Sequence, residues 1–465
     1  MISAINIAQE ALAAEQSALN TTANNVANQN TPGYTREIPS FTTQDTYLLN
    51  GYQQADGVTA GTPTSVRDRV LEQRVEQQTQ VSSASSTLET ALNSVQDVFG
   101  LTASSTSTTV TALGTAVDSF FSSLTGLANN PSESATRQEV LSAAGNLATA
   151  FNTASTQLTS ITNGLNTDAL TIVGQVNSLL GSIASLNEKI AVQDPNSDAG
   201  VLEDQRQAAI TQLSQYVGLD QITTSNNGID LTTSNAGLLV AGNLSYPLTA
   251  SLVGGAVQIT AGPNNTNIST GLTGGSLGGT LTALDTSIPP IVSNLDTLAY
   301  SIATAVNAQN ELGVDANGNA GQALFTIGTT APGSAGTIAV AVTDPNLVAA
   351  AGAGEGSSGN TNATLLANLV NANIAGGTTA DSYLASTLAQ IGEAASNATT
   401  DSTLQSTTLA QLTTQQNTLS GVSLDEEASN LTEYQRSYQA ASQLFSIIDT
   451  LFASALNFGV VTSVS

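Results

Sequence analysis

Ile5, Leu12, Leu19 and Val26 recur every seven residues near the start of the chain. Near its end Leu431, Tyr434, Tyr438, Ala441, Phe445, Ile448, Phe452 and Ala455 follow alternating steps of three and four. Both spacings draw one apolar stripe along one side of a helix, shaped to bury against another helix. Burying the four side chains of the first stripe contributes roughly 6–12 kcal/mol. Ordering about twenty residues costs on the order of 1–2 kcal/mol each, and an isolated helix of this length is marginal in water. The two ends are therefore expected to be mobile in a monomer and to order when they pair within a polymer.

Between these ends the chain is chemically quiet. Only 9% of its 465 residues are charged, against the usual quarter, and 35 acids face eight bases for a net charge of −27. Lys189 is the single lysine, and no base lies between Arg206 and Arg436. So few cations argue against nucleic acid or an anionic membrane as a partner, because phosphates must be neutralised. The acidity itself reads as solubility through mutual repulsion. Cysteine and histidine are absent, which excludes disulfides, thiolate sites and imidazole catalysis. The first twenty residues lack the basic and continuous apolar regions of a secretory signal, and no uninterrupted apolar run reaches the length of a membrane span.

Along the chain, helical spacing predicts a first helix over residues 3–28, broken at Asn30-Thr31-Pro32-Gly33-Tyr34. Pro-Gly there suits the centre of a type II turn. Residues 35–66 read as an extended connector, and Leu71, Val75, Leu88, Leu92, Val95 and Phe99 mark a second helix. Residues 102–111, crowded with Ser and Thr, read as a loop, and Asn130-Pro131-Ser132-Glu133 as a helix start. The longest stripe, from Leu158 to Ile190, stops at Asp194-Pro195, and a return helix over 201–217 packs back as a hairpin. Alternation at Ile229 and Leu231, the run Leu238-Leu239-Val240 and the hairpin Leu252–Val257 predict a small β region. Ile288, Ile291, Leu295, Leu298 and Ile302 begin another helix, and helices resume through Leu404, Leu412 and Leu419. Ser423-Leu424-Asp425-Glu426 reads as a capping box, with Glu427 extending an acidic first turn suited to the helix dipole.

The expected fold is α+β and predominantly α: long helical rods, paired N- and C-terminal coiled-coil helices, and an inserted small β-rich domain. In residue terms, 1–50 with 424–465 form the terminal domain, and 51–220 with 284–312 and 381–423 the rods. Residues 221–283 form the β domain, leaving 313–380 as a mixed Gly/Asn-rich segment.

Three motifs touch on chemistry and none completes it. Gly274-Gly275-Ser276-Leu277-Gly278 fits a nucleophile elbow, but the histidine base is missing. Gly354-Glu355-Gly356-Ser357-Ser358-Gly359 matches a dinucleotide-binding loop without its strand and helix. Asp315-Ala316-Asn317-Gly318-Asn319 begins like a calcium loop, then places Ala320 where Gly belongs and Thr326 where Glu belongs. No catalytic, cofactor or metal-ligating residue is assigned. Arg36, Arg67, Arg69 and Arg74 cluster early; they pair locally with Glu72 and Glu76, or they meet an acidic surface on a neighbouring subunit.

Asn24-Asn25-Val26-Ala27-Asn28 with Thr31-Pro32-Gly33-Tyr34 resembles the N-terminal signature of the bacterial flagellar axial proteins: rod, hook and hook-associated subunits. Ser420 to Glu427, continued by Tyr434-Gln435 and Tyr438-Gln439-Ala440-Ala441, resembles the C-terminus of the hook-associated class. Leu202-Glu203-Asp204-Gln205-Arg206 is similar to a Leu-Leu-Asp-Gln-Arg-Asp motif of that class, with Glu203 in place of Leu and Gln207 in place of Asp. The stretch from Gly278 through Leu295-Asp296 and Val306-Asn307 to Phe325 is similar to its middle region.

The resemblance implies a non-enzymatic subunit, without cofactor, of the junction between hook and filament. Such a subunit is external and exported without a cleaved signal, and it polymerises through its terminal helices. The implied partners are further copies of itself, the hook protein, a second junction protein, and an export chaperone on the C-terminal helix. A rod or hook subunit is the nearest alternative; a secreted adhesin or hydrolase on a helical stalk is another of a different class.

Overall fold

The computed structural model describes residues 2–31, 33–44, 46–49, 52–55, 57–101, 112–193, 200–224, 227–233, 237–356 and 358–458. Its helices, in chain order, are α1 (Ile2–Asn28), α2 (Arg69–Val98), α3 (Ala112–Asn129), α4 (Ser134–Ala191), α5 (Gly200–Tyr216), α6 (Gly275–Thr282), α7 (Ile288–Glu311), α8 (Ser334–Thr337), α9 (Thr361–Asn368), α10 (Ala380–Ser420) and α11 (Leu424–Phe458). Pro32, residues 102–111 and Asp194-Pro195, on which a turn, a loop and a helix stop were read, lie outside or partly outside the described residues.

The spine is α4. Its 58 residues contain no proline, and at 1.5 Å per residue they reach about 87 Å. Its first half, from Val140 to Leu158, lies in one core with α3, α7 and the ends of α2 and α10. Its second half, from Ala169 to Ile190, lies in another with α5, α6 and the β region. An 18-residue window of α4 averages a mean hydropathy of 1.4, long and apolar enough to cross a membrane by composition alone. Sequence reading missed it because alanine, glycine, serine and threonine interrupt every run of large apolar residues.

In the first core Phe120 is fully buried. It meets Phe121 edge-on, with ring centroids 5.6 Å apart, and Phe325 at 5.5 Å. Phe325 belongs to the segment 313–380, which is not a separate unit. Leu324, Ile338, Val342, Val348, Ala363 and Leu366 all enter this core. Polar side chains of α7 hold the segment there: Asn307 exchanges two 2.8 Å bonds with the Phe325 backbone, and Asp296 accepts from the Gly333 and Ala335 amides.

The second core is closed by two antiparallel sheets. One has the order β10-β9-β8-β7, from β7 (Asp220–Thr223), β8 (Ile229–Thr232), β9 (Leu238–Ala241) and β10 (Leu244–Ser245). The other runs β11 (Thr249–Val253), β12 (Ala256–Ala261), β13 (Thr266–Asn267). Val253 pairs with Ala256 across Gly254-Gly255, whose φ of +62° and +88° suit the primed turn the two-residue loop demands. The β region ends sooner than expected, because helix α6 opens at Gly275 inside the Gly274–Gly278 motif.

Residues 35–66 are not a bare connector. Strands β1 (Glu37–Ile38), β2 (Phe41–Thr43), β3 (Thr46–Leu49), β4 (Tyr52–Ala55), β5 (Val58–Ala60) and β6 (Thr64–Ser65) pair in nested order, β1 with β6, β2 with β5 and β3 with β4. This hairpin leans on α1. Gly57, at φ +112° between β4 and β5, lets the hairpin approach α1: a Cβ there would stand 2.6 Å from the Glu10 carboxylate. A boundary at residue 50 would cut the hairpin between β3 and β4, so 51–66 belong with the terminal helices.

Two further expectations change. Helix α4 starts at Ser134 with Glu133 in the cap position, because Thr136 and Arg137 donate to the carbonyls of Asn130 and Pro131 and hold those residues in a turn. Leu404 and Leu419 are exposed, since α10 meets α2 through the small residues Ala395 and Ala398 beside Leu92, and through hydrogen bonds from Gln78 to Gln405 and Ser85 to Asp401. Replacing Phe120 by alanine removes the centre of the first core. It is expected to cost about 3–5 kcal/mol in denaturant unfolding.

Candidate assembly interface

Helices α1 and α11 pack along one another within a single chain. On α11, Leu431, Tyr434, Tyr438, Ala441, Phe445, Ile448 and Phe452 are half-buried, and Ala455 is exposed. On α1 the spacing misplaced the buried face by about one position. Ile5, Leu12 and Leu19 are only half-buried and Val26 is 38% exposed. The buried positions are Ala8, Ala14, Ala18, Thr21, Thr22 and Asn25. Small side chains let α1 approach both α11 and the hairpin, and their low hydrophobicity hid them from a search for large apolar residues. Glu15 and Glu433 face one another near this seam; burial first, then Glu433, raises the Glu15 pKa.

At the base of the pair the polar motifs converge. Asn25 Nδ2 donates to the Glu37 carbonyl at 2.8 Å and to Glu427 Oε2 at 3.2 Å. Its Oδ1 accepts from Tyr34 Oη at 2.8 Å and from the Glu37 amide at 3.0 Å. Arg36 Nε reaches Glu427 Oε1 at 2.7 Å, and its Nη1 reaches Glu426 at 2.9 Å. Glu427 has no exposed surface. Burial alone would lower the Arg36 pKa, but its bonds to Glu427 and Glu426 outweigh that and raise it. Tyr34 is also raised, first by burial and then by Glu37, Asp204 and Glu427. Glu426 thus serves Arg36 instead of a capping box, while Ser423 accepts the Glu427 amide through its carbonyl, and Asp425 stays exposed.

The turn that delivers these residues follows from its sequence. Asn28 closes on Asn24 at 2.8 Å and accepts from the Thr31 hydroxyl at 3.2 Å. The Tyr34 amide bonds the Thr31 carbonyl at 3.1 Å, and Gly33 supplies the φ of +79° that the third turn position needs.

One residue from Arg36 the chain is tied to the rods. The Thr35 amide donates to Asp204 Oδ2 at 3.1 Å, and Asp204 also pairs with Arg67. Arg69 reaches Glu203 at 3.3 Å, and Arg67 lies 3.7 Å from Glu72. Arg206 donates to Asn187 at 2.9 Å and to the Asn227 carbonyl at 2.6 Å. Gln207 and Gln221 both donate to Glu76. Of the local pairings read for the early arginines, Arg67 with Glu72 is present; Arg36, Arg67 and Arg69 otherwise meet acids far away in sequence, Glu426 and Glu427, Asp204, and Glu203. The two departures in the 202–207 motif fit their neighbours: Glu203 answers Arg69, and an Asp at 207 would confront Glu76.

This second cluster holds more carboxylates than it can neutralise. Burial raises Glu72 to about 7, against the lowering by Arg67 and with help from Asp204. Glu76 also rises to about 7, by burial first, against its bond from Gln207. Burial lowers Arg206 to about 10.

The chemical motifs close on themselves. Asp315 Oδ1 accepts the Asn317 and Asn319 amides at 2.9 and 2.7 Å, which makes the calcium-like stretch a turn. The Glu355 carboxylate accepts from the Gly352 and Thr361 amides, folding the glycine loop onto α9. No group of three or more metal-binding side chains occurs among the described residues.

The model of the flagellar hook-associated protein FlgK helical domain matches residues 92–325, half of the chain. The chain belongs to the FlgK family. Two further models fall on the paired ends: flagella basal body rod protein on 5–35, and the flagellar basal body rod FlgEFG protein C-terminal on 415–458. The flagellar hook-associated protein 1 of Bacillus subtilis (strain 168) is 29% identical, over 97% of each chain. The proteins of that name from Escherichia coli (strain K12) and Salmonella typhimurium are each 27% identical over 98% of this chain and all of theirs. The flagellar hook junction protein FlgK from Burkholderia pseudomallei shares the fold, with a TM-score of 0.69 and 20% identity over 75% of this chain and all of its own. The rod-type models cover Asn25, Tyr34, Glu426 and Glu427 of the clasp at the base of the terminal pair, and the first of them stops one residue short of Arg36.

Two outcomes are expected from this chemistry. Glu427→Ala leaves Arg36 buried beside one partner and should destabilise the terminal pair by about 3–5 kcal/mol, read as faster amide exchange over α1 and α11 with the cores unchanged. Glu72 and Glu76 release protons near 4.5 when unfolded and near 7 when folded. Their contribution to stability is therefore full below pH 4.5 and is lost as pH rises through 7. Denaturant unfolding at pH 5 and pH 8 should show a smaller loss for Glu76→Gln than for the parent chain.

Proposed function

We propose that this chain is a structural subunit of the bacterial flagellum that forms the junction between hook and filament, without catalytic activity. The observation that carries the reading is the match of the FlgK helical domain to the rods and β region, joined through Thr35 and Arg36 to terminal helices of the axial-protein type. A rigid tie between a paired helical end and a long rod suits a part that must keep one orientation in a stack of subunits. Its neighbours are copies of itself, the hook protein and a second junction protein. It is external, reaches its place by flagellar export without a cleaved signal, and is accompanied by a chaperone on α11.

The terminal helices carry the polymer contacts, and the four domains set out from the sequence reduce to three structural units. These are the α1–hairpin–α11 end, the rod core completed by 313–380, and the β core. The test is electron microscopy of cells lacking the gene, with an assay of filament protein in the medium. Hooks without filaments, and filament protein shed outside, are expected. Absent hooks would make the chain a rod or hook component, and normal filaments would overturn the flagellar reading.

A further inference from the structure

Asparagines on α4 hold the β region by its backbone. Asn177 donates to the Leu248 carbonyl at 2.9 Å and accepts the Leu248 amide at 2.7 Å. Asn187 exchanges the same two bonds with Ile229, at 2.7 and 3.4 Å. Asn166, nearest the first core, makes only half of such a tie. Its Nδ2 donates to the Gly255 carbonyl at 3.4 Å, longer than an ordinary bond, and its buried Oδ1 has no partner among the described residues. The complementary group stands on the same glycine. Gly255 lies in the two-residue turn between β11 and β12, outside the strand ladder, and its amide donates to no group among the described residues. A buried acceptor and an unused donor on two residues already in contact imply a second position in which they meet.

The apolar side chains at the tip are open in the same way. Cross-strand partners share a face of the sheet, so Leu252 opposite Val257 and Ala250 opposite Ile259 point towards the second core. Val257 and Ile259 are buried there and Ala250 partly so, whereas Leu252, at the tip end, is 52% exposed. On α4, Leu170 lies one turn from Asn166, on the face that runs through Val173 to Asn177. Val173 is buried in the second core, but Leu170 is 39% exposed. The hairpin is thus clipped to α4 at its base, Leu248, and stands off it at its tip.

We propose that the β11–β12 hairpin is a strap that closes on α4. It pivots where Asn177 holds Leu248, and in the closed position Gly255 exchanges both bonds with Asn166 while Leu252 covers Leu170. One movement completes the half-made tie and removes both apolar side chains from water. The strap belongs to the single chain and stands apart from the hook–filament reading; it decides whether the middle of α4 shows an apolar surface or hides it.

Amide hydrogen exchange of the full chain, read residue by residue, tests it. In the open position Gly255 exchanges as in an unstructured peptide; a strap closed nine-tenths of the time slows it about tenfold. Protection of roughly tenfold or more is expected, together with its loss in Asn166→Ala while the Leu248 amide keeps its own. Leu252→Ser removes no hydrogen bond and so reads the strap even if Asn166→Ala disturbs the fold. It is expected to speed Gly255 exchange several-fold and leave Leu248 unchanged. Exchange of Gly255 at the unstructured rate in the unaltered chain overturns the inference, as does protection that survives either substitution.

Discussion

A carboxylate with no exposed surface must have its charge answered nearby, and Glu427 is answered by Arg36 and Asn25, some four hundred residues earlier in the chain. That single requirement fixes where α11 begins, how α1 ends and which way the hairpin leaves it. Asn25 uses both ends of its amide, donating to Glu427 and to the Glu37 carbonyl while accepting from Tyr34 and the Glu37 amide. An aspartate there would lose the donor side and bring a second negative charge beside Glu427; an apolar residue would strand several buried groups. The neighbouring bond from Thr35 to Asp204 carries the same constraint into α5, so that five consecutive residues, Gly33 to Glu37, tie the ends to the rods.

The rods themselves are organised by α4. Two cores are strung along one helix, and the sheets, α5 and α6 gather on its later half while α3, α7 and the 313–380 segment gather on its earlier half. Asn and Asp side chains, not apolar contacts alone, lock the irregular segment in place: Asp296, Asn307 and Asn310 each bond backbone groups that loops would otherwise leave unpaired. A chain poor in large apolar residues can afford irregular structure only where such groups serve it.

Much of this was legible in the residues. Periodicity placed α1, α2, α4, α5 and α11 closely, and the Gly254-Gly255 hairpin was readable from its turn chemistry. What failed had physical causes. The α1 stripe was read from Ile5, Leu12, Leu19 and Val26, whereas close packing chose Ala8, Ala14, Ala18 and Asn25. The nested hairpin was invisible because its strands are short and most of its bonds are between backbones. Helix α3 lacked a start signal, although Phe120-Phe121 held the core it fills. The clasp was half visible: its motifs stood out, but nothing local connects Arg36 to Glu427 or Thr35 to Asp204, since only the fold brings them together.

The separation of Asn25 from Glu427 has a further consequence for how the molecule is made. Residues 69–420 can build both cores from contacts within themselves, whereas the terminal pair joins the first stretch of the chain to the last. Closing so long a loop in an unfolded chain is entropically unfavourable, but a finished rod already holds the start of α2 and the end of α10 side by side. The rod thus acts as a template for its own ends. Topology and loop entropy together favour an order that spreads outward from the middle, with the clasp set last.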